Sequence, residues 1–225
     1  KEDIMKTLLS KYKHVWTLLY FPVYLAVFFW LENRSVSKYH VVQSTLDSHI
    51  PFLEIFVIPY FLWFGFVALG VVYFFFKDVK DYYRLIAFLY SGMTIFLIWS
   101  YVYPNRLFLR PMAFTRDNIF IRMVQHLYAI DTPTNVFPSI HVFNSLGIAI
   151  AVLNSDRLRN FRAVRIGSVV LATLIVLSTM FLKQHSLIDV TGGCVMAATF
   201  YWLIYQRGYQ WIAELFRRPA NRRIA

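Results

Sequence analysis

Residues 50–76 read IPFLEIFVIPYFLWFGFVALGVVYFFF, a run in which Glu54 is the single charge. A helix needs about 20 apolar residues to cross roughly 30 Å of hydrocarbon, so this stretch predicts a membrane span. Five further apolar runs lie around it: His14–Leu31, Leu85–Tyr103, Ser139–Leu153, Ile166–Leu182 and Ile188–Tyr205. The runs opening at Ser139 and Ile166 are short, and their ends are expected to extend into the flanking segments. The whole chain agrees, with 58% of its 225 residues hydrophobic and 16% charged. Soluble domains carry about 25% charged residues, and disordered chains are far less apolar. Both classes are excluded. With Cys194 as the single cysteine, an intrachain disulfide and a cysteine-based metal site are excluded too. The expectation is an all-α polytopic membrane protein: a six-transmembrane-helix bundle forming a single domain over residues 1–225.

A net charge of +11 could signal nucleic acid, so the placement of the charges decides its meaning. Sixteen of the 23 Lys and Arg fall in the N-terminus, the second loop, the fourth loop and the C-terminal tail. Lys1, Lys6, Lys11, Lys77, Lys80, Arg157, Arg217 and Arg222 are among them. Only seven fall in the other three loops. The positive-inside rule then puts both termini in the cytoplasm and the sparsely basic loops outside. The basic balance is topological, and no nucleic-acid partner is expected. In the long third loop, Phe120, Val124, Leu127 and Tyr128 recur at helical spacing. They predict a short helix, either lying in the membrane interface or packed as a connector.

Ionisable groups near membrane depth cost about 2.5–3.5 kcal/mol each, which makes the few present informative. Glu54 is expected to reach the interface or pair with an Arg. His14, His40 and His49 read as solvated or interfacial. His185 and Asp189 are spaced i, i+4, on one helical face. The carboxylate could orient the imidazole and leave its other nitrogen as nucleophile, or the pair could be a structural bond opening the last span. Pro138-Ser139-Ile140-His141 opens the fourth span. Capping explains Pro138 and Ser139 there, but it does not explain His141. Arg110-Pro111 follows the third span, with Arg106 one turn earlier. These arginines are interfacial anchors or phosphate ligands, for which the guanidinium fork is suited. Topology puts Arg110, His141, His185 and Asp189 at one membrane face. Two helix N-termini there would add amide donors for an anion.

Arg-Pro, then Pro-Ser-x-His, then His-x-x-x-Asp resembles the three-part signature of the type 2 phosphatidic acid phosphatase superfamily. The resemblance covers about Tyr103–Val195, through Arg110, Pro111, Pro138, Ser139, His141, Ser178, His185 and Asp189. Three positions depart from it: Tyr103 replaces a Lys, Ile140 a Gly, and Thr179 an Arg. Arg106 and Lys183 lie about one turn from the two lost cations. The segment Ser178–His185 is also similar to the branch holding inositol-phosphoceramide and sphingomyelin synthases.

The resemblance implies a catalytic set of His185, His141 and Asp189, with Arg110 and Ser139 binding phosphate; Lys183 and Arg106 are expected to bind it in place of the two lost cations. It implies attack by His185, a phosphohistidine, and proton transfer by His141. The expected activity is metal-independent hydrolysis of a lipid phosphate or pyrophosphate monoester at the outer face, with neither a metal nor an organic cofactor. Transfer of a phospho-head-group to a lipid hydroxyl is the alternative, and a non-enzymatic transporter or scaffold a distant third. The expected partners are the bilayer and a membrane lipid phosphate. The expected location is the plasma membrane, and the oligomeric state is left open.

Overall fold

A computed structural model of the protein describes residues 12–207. The charges at Lys1, Lys6, Lys11, Arg217, Arg218, Arg222 and Arg223, which weighed in the topology, lie outside the described residues. Seven α-helices carry the fold: α1 (Tyr20–Asn33), α2 (Val57–Lys77), α3 (Val79–Val102), α4 (Ile119–Ile130), α5 (Ile140–Asn154), α6 (Arg162–Phe181) and α7 (Leu187–Tyr201). A 3₁₀ segment, Lys13–Leu19, leads into α1, and a π-helical turn, Trp202–Gln206, ends α7. The strands, β1 (His40–Val41) and β2 (Asn105–Arg106), form one short parallel pairing. The protein is all-α and membrane-embedded.

Five of the helical stretches are long and apolar enough to cross a membrane: Lys13–Asn33, Glu54–Lys77, Val79–Val102, Arg162–Phe181 and Leu187–Gln206. The sixth expected span, Ser139–Leu153, becomes α5, and its ends do not extend. Its 15 residues reach about 22 Å, short of the hydrocarbon thickness. Its position accounts for the length. Helix α5 packs on α2, α3, α6 and α7, so most of its surface meets protein. A helix enclosed by others need not match the bilayer itself.

Two glycines let α5 come this close. At Gly92 of α3 an added Cβ would stand 2.1 Å from the Phe143 ring, and at Gly147 of α5 one would stand 2.7 Å from Phe88. Each aromatic side chain seats over the other helix's glycine, and the two rings stack at 4.5 Å. Away from this apolar core, the end of α3, the start of α5, the end of α6 and the start of α7 meet the connecting loops. Asn105, just beyond α3, accepts the amides of Val136 and Phe137 ahead of α5. Leu53, ahead of α2, donates to Phe181 O at the end of α6. Helix α4 buries Ile121, Val124 and Leu127, the last two beside Val57, Tyr60 and Leu182, so the third loop does hold a packed helix. Glu54 is paired, at 2.9 Å, with Arg116. His14 is not solvated as expected: it is buried, and its Nε2 lies 3.0 Å from Phe75 O.

Candidate active site

Helix α7 starts where the last motif lies. Ser186 is its N-cap and Asp189 its third residue, forming a reciprocal capping box. Asp189 Oδ2 accepts the Ser186 amide at 2.8 Å and stands 3.4 Å from Nδ1 of His185. The second contact has ion-pair range without hydrogen-bond alignment. Both residues are buried. Because Nδ1 turns toward the carboxylate, Nε2 is the nitrogen left for chemistry.

Helix α5 brings the second histidine. Ser139 caps it, with Oγ 3.4 Å from the Val142 amide, and its own amide donates to Asp189 O at 3.1 Å. That bond ties the start of α5 to the first turn of α7. An added Cβ at Gly193 would stand 2.8 Å from Ser139 O, so only a glycine admits this approach. The His141 and His185 rings are consequently 5.7 Å apart. His141 sits in an aromatic box, 4.8 Å from Tyr60 and 4.4 Å from Trp63.

Arg110 completes the cluster from the third loop. Its Nη1 donates to Tyr128 O, and its Nη2 donates to Asp131 O and Gln184 Oε1, both at 2.6 Å. The guanidinium also lies over the Tyr128 ring. Burial pushes its pKa down, against Asp131, which holds it up. One end of the bundle thus holds two histidines, the Asp189 carboxylate at the start of α7, and an arginine, in the chain order Arg110, Ser139, His141, His185, Asp189.

Residues 108–212 match the family model of the PAP2 superfamily. The match supports membership of that superfamily. No curated protein and no solved structure matches the chain. Members of the PAP2 superfamily are phosphatases or related phosphotransferases acting on lipid-like phosphates.

The positions where this PAP2 chain departs from the motif are not refilled by its neighbours. Tyr103 is exposed and stacks on His40 at 4.0 Å. Thr179 is buried, and its carbonyl closes the following loop by accepting the amides of Gln184 and His185. Lys183 does lie in the His185 loop. Its ammonium, however, donates to Asp47 O at 2.8 Å and Ile50 O at 2.5 Å. Burial lowers its pKa and Asp47 opposes that. Arg106 lies on β2 with its guanidinium over Phe108 and Tyr39. No contact joins it to the histidines among the described residues.

The amides expected to receive an anion at α7 are also occupied. Ser186 N donates to Asp189, Leu187 N to Asp47 Oδ1 at 2.8 Å, and Ile188 N to Ser186 Oγ at 3.1 Å. Asp47 and Asp131 are the residues that sequence reasoning missed. Buried Asp47 also accepts Ser186 Oγ and the Ser44 amide, each at 2.6 Å. Its pattern, Ser44-x-x-Asp47, is a capping box that could have flagged it. Asp131 Oδ2 accepts Tyr60 OH at 2.8 Å and Gln184 Nε2 at 2.9 Å. Burial raises the Asp131 pKa, partly offset by Tyr60, His185 and Arg110. Nothing local in the sequence marks it.

Proposed function

We propose that this protein cleaves a lipid phosphate ester through a phosphohistidine on His185, with water as the final acceptor. The observation that carries the reading is the 5.7 Å pairing of His185 and His141 beside Asp189 and Arg110. Nε2 of His185 attacks phosphorus in line, its lone pair forming the N–P bond as the P–O bond to the lipid breaks. The lipid oxygen keeps that electron pair and takes a proton from His141. Asp189 compensates the charge gained by the His185 ring. Water then attacks phosphorus and gives its proton to His141, and the N–P electron pair returns to His185. The Tyr60 and Trp63 rings confine the His141 ring from two sides. Arg110 and Ser139 are the groups proposed to hold phosphate oxygens, where charge stabilisation and positioning supply most of the rate. Arg110 would exchange its present carbonyl partners for the phosphate.

A lipid substrate is supported by an apolar cleft of about 550 Å³ between α3 and α7. Its wall includes Ile95, Trp99 and Ile188, and its rim Ser44, Pro138 and Leu187, neighbours of the site. The site is proposed to face the outside of the plasma membrane, with the termini cytoplasmic, from the distribution of Lys and Arg.

One observation favours the second reading, transfer of a phospho-head-group from a phosphodiester lipid to a lipid hydroxyl. Tyr103 and Thr179 are neutral, Lys183 is held by carbonyls, and Asp47, Asp131 and Asp189 crowd the same end. Such a balance suits the single charge of a phosphodiester better than the double charge of a monoester. The test is phosphate release by purified protein from a panel of lipid phosphates in detergent with EDTA, beside His185→Ala. Release lost in the variant supports the hydrolase. No release, with label moving from a phospholipid to a lipid alcohol, supports the transferase. Neither reaction, or full activity of His185→Ala, ends the proposal.

A further inference from the structure

We propose that Asp131 is a positioning residue that holds the two histidines and Arg110 in register through a single oxygen; this rests on the phosphohistidine reading above. Asp131 Oδ2 receives two donors. The first is Tyr60 OH, whose ring is one wall of the His141 box. The second is Gln184 Nε2, from the residue preceding His185. Gln184 Oε1 in turn accepts Arg110 Nη2, which also donates to the Asp131 carbonyl. The three parts of the motif come from distant segments of chain, and none hydrogen-bonds another through its motif side chains. Asp131 joins all three.

The arrangement is selective about geometry. Tyr60 belongs to α2, Asp131 follows α4, and Gln184 lies between α6 and α7. The carboxylate therefore fixes α2, the third loop and the nucleophile loop at one point. Loss of that point leaves Tyr60 OH without its carboxylate partner and frees the Gln184 amide to rotate, which loosens the acceptor of Arg110 Nη2. A displacement of about 1 Å at a reacting group can cost on the order of 100-fold in rate. An asparagine at this position keeps a carbonyl oxygen able to accept both donors, whereas an alanine keeps none.

The test compares wild type with Asp131→Ala, Asp131→Asn and Gln184→Ala, reading kcat, KM and melting temperature in detergent on whichever lipid ester the wild type uses. Expected are a kcat loss of about 100-fold for Asp131→Ala with KM within a few-fold, and recovery to within about ten-fold for Asp131→Asn. Gln184→Ala is expected to lose kcat, and its loss to be non-additive with Asp131→Ala. Wild-type kcat in a folded Asp131→Ala overturns the proposal, as does an Asp131→Asn variant that is folded and no better than Asp131→Ala. If Asp131→Ala does not fold, Gln184→Ala decides: unchanged kcat overturns the proposal and a selective kcat loss supports it. Absence of any wild-type turnover is a different outcome, which overturns the phosphohistidine reading itself.

Discussion

His141 and His185 stand 5.7 Å apart but are held by opposite means. His141 lies between the rings of Tyr60 and Trp63, and the Nδ1 atoms of both histidines have no hydrogen-bond partner among the described residues. His185 sits in a loop in which the neighbouring side chains or amides are hydrogen-bonded: Lys183 to two carbonyls, Gln184 to Asp131, Ser186 and Leu187 to Asp47. Packing confines a ring by its faces, which suits a group proposed to pass a proton in place. A hydrogen-bonded loop fixes a backbone, which suits a nucleophile that must meet phosphorus in line. The difference is consistent with the two roles proposed for these rings.

Exchange of the leaving group breaks or sharpens that assignment. His185→Ala is expected to lose about 10⁴-fold or more in kcat on a lipid ester and on an activated aryl phosphate alike, as removal of a nucleophile does. His141→Ala is expected to lose about 10²–10⁴-fold on the lipid ester. On the aryl phosphate, whose leaving oxygen needs no proton, its loss should be much smaller. Equal losses for both variants on both substrates would erase the distinction. Asp189→Asn keeps a carbonyl oxygen for the Ser186 amide, so the cap survives while the charge facing His185 goes. A fall in kcat of about 10²–10⁴-fold with an unchanged melting temperature is expected.

Smaller effects separate the two kinds of support. Trp63→Ala should lower kcat about 3- to 30-fold by removing one wall of the His141 box and loosening the position of the ring. Asp47→Asn places an amide where three donors converge, and should cost about 1.5–3 kcal/mol of stability, seen as a melting temperature lower by several degrees. The smallest effect concerns pH. Burial raises the folded-state pKa of Asp131, so its ionisation costs stability as pH rises from the ordinary carboxylate range through the raised value. Asp131→Asn removes that cost. Its melting temperature relative to wild type should therefore increase with pH across that window and level off above it, and a decrease would contradict the sign.

Much of this was written locally. Five spans could be read as apolar runs because a helix facing lipid must be apolar along its length. The Arg110, Ser139, His141, His185 and Asp189 cluster could be read because each motif sits at a span end. Lys183 and Arg106 show the limit. Both were placed near the site by counting residues, yet the Lys183 ammonium turns to the carbonyls of Asp47 and Ile50, and the Arg106 guanidinium lies over Phe108 and Tyr39. Sequence spacing fixes where a Cα can be, and long flexible side chains then choose among acceptors contributed from elsewhere.

Asp47 and Asp131 mark the same boundary from the other side. Their partners Leu187 and Gln184 are separated from them by 140 and 53 positions. Composition and hydrophobic pattern by themselves determined a membrane-embedded helical bundle, and the motif order carried the resemblance to a superfamily, because both are properties of short stretches. The tertiary structure alone decided that the α7 amides are spent on Asp47, Ser186 and Asp189 and that one carboxylate oxygen links three segments. Hydrogen bonds reach only about 3 Å, so their partners are known only once the chain has been folded back on itself.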